Sequence, residues 1–355
     1  MKESTPLYEP GRGGPTVGDR PQVPHQLRRD LVTLTSPPRS TMSDSKSLST
    51  MPQTHKALVN QLTQSLAAFQ TSPKRFEVIC SLPWSRNIKP PYDNNGYEHE
   101  ARSIEFANAS GSEQAKRLVV LDSSFNPPTR AHAAMLRSAL TSSPASTREP
   151  TRVLLLLAVK NADKAPQPAA FPSRLGMMTA FREELRTWDE GKNVDVDVGV
   201  TTEPYFHDKA LAIRDSGLYG KQEQPESVFL AGFDTLIRVL NPKYYTQEGG
   251  IQAALDPFFK SSILTVTLRG DDDWGSADEQ RAYVRSLRED GENGIVAKGG
   301  KKEWLERIEL VDGVEGEAVS SSRARKAVKL NEDLYGMVGP EVKRWVMGEE
   351  LYREE

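Results

Sequence analysis

A chain of 355 residues is long enough for one large domain or two modest ones around a full hydrophobic core. Its 46 basic and 49 acidic residues, for a formal net charge of -3, give no electrostatic case for nucleic acid as the main partner. No stretch reaches the roughly 18–20 uninterrupted apolar residues of a membrane span, and the one cysteine, Cys80, excludes a disulfide framework and points to a reducing compartment, cytoplasm or nucleus.

In chain order, residues 1–50 are rich in Ser, Thr, Pro and Gly and poor in large apolar residues. Such a segment cannot bury enough surface to offset its ordering entropy, and a disordered tail is expected. It has no apolar core of a secretory signal, and Glu3, Glu9, Asp19, Asp30 and Asp44 weigh against a mitochondrial presequence. Met42 and Met51 are alternative starts. Residues 54–70 place Leu58, Leu62, Leu66 and Phe69 at helical spacing, and 84–115 read as irregular. Residues 51–116 are therefore expected to form a helix and an irregular segment packed on a main domain over 117–350.

From residue 117 the pattern alternates. Strands are expected over 118–122, 153–159, 194–201, 227–232, 263–269 and 307–311. Helices are expected over 130–140, 172–188, 234–240, 251–260, 277–289 and from 321 onward. Continuous apolar strands separated by helices predict an α/β fold with a doubly wound parallel sheet, and ligands of such sheets sit at the carboxyl ends of the strands.

Two motifs lie at such ends. The first, SSFNPPTRAH over residues 123–132, follows a strand and opens a helix. Backbone N–H groups and the helix N-terminus there suit an anion, Pro128 and Thr129 suit a helix start, and His132 falls in the first turn. By itself it is also compatible with a capped helix carrying a partly buried histidine. The second, VSSSRAR over 319–325, sets Ser320, Ser321 and Ser322 at a helix start with Arg325 one turn on, which suits phosphate oxygens or an ordinary serine cap. No G-x-x-x-x-G-K-[ST] occurs and the first strand–helix turn lacks G-x-G-x-x-G, which argues against a P-loop enzyme and a dehydrogenase. The acids Asp271, Asp272 and Asp273 read as a solvated loop, and no metal ligand is assigned.

Taken together, the motifs resemble the paired signatures of the adenylyltransferase branch of the HxGH nucleotidyltransferase superfamily, G-[ST]-F-[ND]-P-x-[HT]-x-x-H and [IV]-S-S-[ST]-x-x-R. The segments LLLLAVKNADK, GFDTLIRVLNPKYY and the Arg174-x-x-Met177 helix are similar to a divergent fungal subfamily of nicotinamide mononucleotide adenylyltransferases. Ser123 stands where the family often has Gly, and Thr129 and Ala131 replace the first His and the Gly of HxGH.

The resemblance implies a Rossmann-like nucleotidyltransferase fold and in-line attack of a nucleotide 5′-phosphate on the α-phosphorus of ATP, with NAD and pyrophosphate as products. It implies that Ser123, Ser124, Phe125, Thr129, His132, Gly232, Asp234, Ser320, Ser321, Ser322 and Arg325 serve ATP. His132, Arg325 and Lys164 would carry the catalytic charge stabilisation. Asn161, Arg174, Phe206, Tyr245 and Arg269 are the expected acceptor contacts, with Tyr205 and Tyr244 as further aromatic faces for a pyridinium ring. Magnesium would enter on the triphosphate. The implied partners are ATP and nicotinamide mononucleotide, not nucleic acid or membrane, with the oligomeric state open. A nucleotide-binding regulator with weak ATPase activity, or a transferase for another phosphorylated acceptor, is the alternative.

Overall fold

The computed structural model describes residues 53–82, 115–141, 150–159, 168–189, 194–246, 248–268, 274–314 and 319–353, all within one unit running from Ser49 to Glu355. The tail expected over 1–50 and the irregular segment up to residue 114 lie outside the described residues.

The apolar runs form strands, and the strands form one sheet. Its members are β1 (Phe76–Leu82), β2 (Arg117–Asp122), β3 (Thr151–Ala158), β4 (Asp195–Thr201), β5 (Glu226–Gly232), β6 (Ser262–Thr267) and β7 (Ile308–Val311). The order is β1-β4-β3-β2-β5-β6-β7. Every neighbouring pair is parallel except β1 with β4. Chain order reverses between β2 and β5, which makes this a doubly wound Rossmann-like sheet with one antiparallel edge strand added.

The helices are α1 (Gln53–Thr71), α2 (Arg130–Thr141), α3 (Phe171–Leu185), α4 (Phe206–Asp215), α5 (Phe233–Val239), α6 (Gly250–Ser261), α7 (Ala277–Ser286), α8 (Ser321–Lys329) and α9 (Pro340–Gly348). They cover both faces of the sheet. Val119, Leu121, Val153, Leu155 and Leu157 point to one apolar cluster with α1, α2, α3, α8 and α9. Leu118, Val120, Leu154 and Leu156 point to the other, with α4, α5, α6 and α7. A strand alternates its side chains, so a strand buried on both faces must be apolar throughout, as β2 and β3 are.

Two elements were not among the expectations. β1 carries a bulge between Val78 and Cys80, which breaks the two-residue alternation by which a strand is read. It sends Phe76 and Val78 to one face and Ile79 and Cys80 to the other. The ten-residue α4 has polar residues around a short apolar stripe, Ala212 and Ile213, and its formation depends on packing against the sheet. At the amino ends of the strands, Arg152 grips Asp197 with two hydrogen bonds of 2.6 and 2.9 Å, and Tyr219 donates to the same carboxylate at 2.9 Å. Among the described residues no helix is long and apolar enough to cross a membrane.

Candidate functional site

After β2 the chain turns to α2 on one face; after β5 it turns to α5 on the other. The two connections diverge and leave a crevice at the carboxyl ends of the central strands. It is a cleft of about 300 Å³ bordered by Leu121–Ser124, His132, Ala158, Arg174, Tyr205, Phe206, Lys209, Leu230–Gly232, Asp234, Arg238, Tyr244 and Tyr245, among others.

His132 is held by the turn it belongs to. The backbone N–H of Thr129 donates to Nδ1 at 2.9 Å, and the Thr129 hydroxyl lies 2.9 Å from the same nitrogen. A nitrogen that accepts an N–H carries no proton, so the neutral ring bears its hydrogen on Nε2. Nε2 lies 2.8 Å from Ser123 Oγ at the cleft wall. In sequence terms His132 occupies the third helical position and caps the N-cap residue's own N–H, the reciprocal half of a capping box. Thr129, expected as a helix cap, is buried and spends its N–H and hydroxyl on the imidazole. Phe125 is buried beneath the ring, 5.6 Å from it between centroids.

Arg174 enters from α3. It is 5 % exposed, its Nε donates to Ala169 O at 2.9 Å, and its guanidinium lies 4.7 Å from the Phe171 ring. Burial lowers its pKa, and the nearby Arg325 charge adds to that effect. No carboxylate is paired with it among the described residues. A buried guanidinium so placed on a cleft wall favours an anionic occupant.

The other charges on the cleft are matched. Lys209 of α4, itself buried, pairs with Asp122 at the end of β2. Arg238 reaches Asp234 at 2.5 Å across one turn of α5. Both acids are engaged by cations, and among the described residues no group of three or more His, Cys, Asp or Glu is placed to hold a metal ion. Tyr205, Phe206, Tyr244 and Tyr245 line the same side. Tyr205 and Tyr244 are half-buried with centroids 6.4 Å apart. Tyr245 is buried and donates its hydroxyl to Val239 O at 2.6 Å; burial pushes its pKa up. Phe206 packs on Phe229 of the core at 5.6 Å.

The second motif meets the first from behind. Ser320 caps α8, accepting from Arg323 N–H at 3.2 Å. Ser321 Oγ donates to Pro127 O at 2.8 Å; Arg325 donates to Asn126 O at 2.8 Å and to Ser322 Oγ at 3.1 Å. Ser321 and Arg325 grip the loop between β2 and α2, Ser322 braces Arg325, and none of the four side chains borders the cleft. Ser123, Ser124, His132, Arg174, Phe206, Gly232, Asp234 and Tyr245 do border it. Asn161, Lys164 and Arg269 lie outside the described residues. Lys209, Asp122 and Arg238 were not anticipated. Lys209 sits on a helix that periodicity did not reveal, and its partner is 87 residues away.

No family model matches the chain. A Schizosaccharomyces pombe protein named "Putative nicotinamide mononucleotide adenylyltransferase" is 39% identical over 215 residues, which is 60% of this chain and 76% of that protein. Among solved structures, Plasmodium falciparum nicotinic acid mononucleotide adenylyltransferase complexed with APC aligns at a TM-score of 0.42 and 15% identity, over 67% of this chain and 97% of that one. The same enzyme complexed with NaAD aligns at 0.41 and 15%, with the same coverage.

Proposed function

This chain belongs to the family of nicotinamide mononucleotide adenylyltransferases, and on that premise we propose that it transfers the adenylyl group of ATP to nicotinamide mononucleotide, forming NAD and releasing pyrophosphate. The observation that carries the reading is the imidazole of His132, fixed by Thr129 at Nδ1 and turned by Nε2 to Ser123 Oγ on the cleft wall, at the switch point of the sheet. A donor held there before substrate arrives, once it exchanges Ser123 Oγ for a phosphate oxygen on binding, stabilises charge that grows on the α- and β-phosphate oxygens. The attacking phosphate is already ionised near neutral pH, so positioning and charge stabilisation suffice and no general base is required.

His132 serves the α- and β-phosphates, and Ser123 and Ser124 line the path of the triphosphate. Arg174 neutralises the acceptor's 5′-phosphate, which brings two anions together against their repulsion. Asp234 and Gly232 border the nucleoside, and Tyr205, Phe206, Tyr244 and Tyr245 offer the faces that a cationic pyridinium prefers. Ser321 and Arg325 act through the loop they hold, with Ser320 capping their helix and Ser322 bracing Arg325, and Arg325 is near enough to Arg174 to add to the positive field around the phosphates. Lys164 bridges the phosphates of the two substrates. Magnesium arrives on the triphosphate, keeping most of its water ligands.

The test is pyrophosphate release from magnesium ATP with and without nicotinamide mononucleotide, with the dinucleotide followed in parallel. Pyrophosphate and NAD in equal amounts, both dependent on the acceptor, are expected. Phosphate release indifferent to the acceptor would instead mark a nucleotide-binding regulator with ATPase activity.

A further inference from the structure

Resting on the transfer reading above, we propose that Tyr352 is a positioning residue for the loop that follows β2: its hydroxyl holds Asn126, and through Asn126 the backbone that receives the phosphates. The Tyr352 ring is 6 % exposed, and its hydroxyl donates to Asn126 Oδ1 at 2.7 Å, with Met177 Sδ at 3.5 Å. Asn126 is fully buried, and its carbonyl receives Arg325. One residue of the loop is therefore gripped by its side chain from one segment and by its main chain from another.

The backbone supports the same reading. Among the described residues four that are not glycine have positive φ: Phe125, Asn331, Glu350 and Tyr352. Two of these close helices. Asn331 follows α8, where Glu332 N–H bonds Ala327 O and Asn331 N–H bonds Val328 O; Glu350 follows α9, where Leu351 N–H bonds Val346 O and Glu350 N–H bonds Met347 O. Both patterns are Schellman closures, which require a left-handed residue. Phe125 at φ 45° and Tyr352 at φ 68° have no such explanation. An aromatic residue stays left-handed only where its surroundings over-determine it, and here one of the two precedes Asn126 in the chain and the other bonds its side chain.

The loop needs such support. Residues 123–129 contain no glycine, so packing must impose a conformation that glycine would adopt without steric cost. The anchor is firm. Trp345 of α9 packs on Gly176, where an added Cβ would lie 2.0 Å from the indole. Glu184 accepts the N–H groups of Glu341 and Val342 at 2.7 and 2.9 Å. Both contacts tie α9 to α3, the helix that carries Arg174. Tyr352 also lies within electrostatic reach of Arg174 and Arg325.

The test uses the full chain and Tyr352→Phe, which keeps the ring and removes the donor. The affinity for a non-hydrolysable ATP analogue is read by calorimetry and the steady-state constants by the coupled assay. The analogue's Kd is expected to rise about three- to tenfold, the worth of one buried neutral hydrogen bond. The acceptor's KM stays within about twofold, and hydrogen exchange quickens in residues 123–129. In an Asn126→Ala background the same change is expected to add less than about twofold, because a contact already lost cannot be lost again. Unchanged affinity and exchange in Tyr352→Phe, or equal losses in both backgrounds, would overturn the proposal. A wild-type chain that binds the analogue yet makes no dinucleotide would refute the transfer reading alone, and the binding series would still decide Tyr352.

Discussion

Replacing His132 separates two jobs that its ring performs at once. In His132→Ala the cleft loses the Nε2 donor beside Ser123, and Thr129, 2 % exposed, loses the acceptor of its N–H. The first loss removes one preorganised donor to developing charge, which lowers kcat about 100- to 1,000-fold. The second strands a buried polar group, at about 1–3 kcal/mol of stability. His132→Gln divides the effects. Glutamine at the third helical position can accept the N-cap N–H as a capping box does, so stability returns towards wild type while the rate stays low. The assays are acceptor-dependent pyrophosphate release and urea unfolding of the three proteins. Full activity in His132→Gln would exclude the imidazole as the charge-stabilising group. Wild-type stability in His132→Ala would exclude its capping role.

Three further outcomes follow from the same structure. Arg174→Met removes a buried charge that has no acid partner among the described residues, so stability should change by less than about 1 kcal/mol; the KM for the acceptor should rise about tenfold or more and the KM for ATP less, and equal changes in both would refute the assignment to the acceptor's phosphate. Burial raises the pKa of Glu184 from 4.5 to about 7 despite the two N–H groups it accepts. A raised acid contributes its stability below pH 4.5 and loses it as pH climbs through 7, so Glu184→Gln should gain on wild type between those values; parallel urea midpoints from pH 4 to 8 would show the group to be unshifted. Asp197→Ala deprives the buried Arg152 of its two-pronged partner, though not of Asp195 at 3.1 Å, and Tyr219 of its acceptor, at about 3 kcal/mol of stability, the low end for a broken buried pair. Activity per folded molecule should hold, since the pair lies at the strand ends opposite the cleft, and a loss of specific activity would show coupling between the two ends.

Much of the architecture was legible because it is written locally. The apolar runs of β2, β3 and β5 and the helical spacing of Leu62, Leu66 and Phe69 each record burial within a few consecutive residues. The first motif was legible for the same reason, since the strand end, loop and helix start that hold His132 are contiguous. β1 was missed because its bulge interrupts the alternation. α4 was missed because its stability comes from the sheet it packs on.

The sequence by itself determined the alternation of strands and helices, the buried faces of the central strands, and the two anion-suited motifs, because short-range periodicity and turn chemistry depend on neighbours along the chain. Only the tertiary structure decided that VSSSRAR grips the loop from behind, that Lys209 neutralises Asp122 while Arg174 has no acid partner among the described residues, and that Tyr352 reaches Asn126 from 226 residues away. Those outcomes depend on which side chains the sheet order and the α3–α9 packing bring within about 3 Å of each other, and a hydrogen bond's range is too short for sequence spacing to record it.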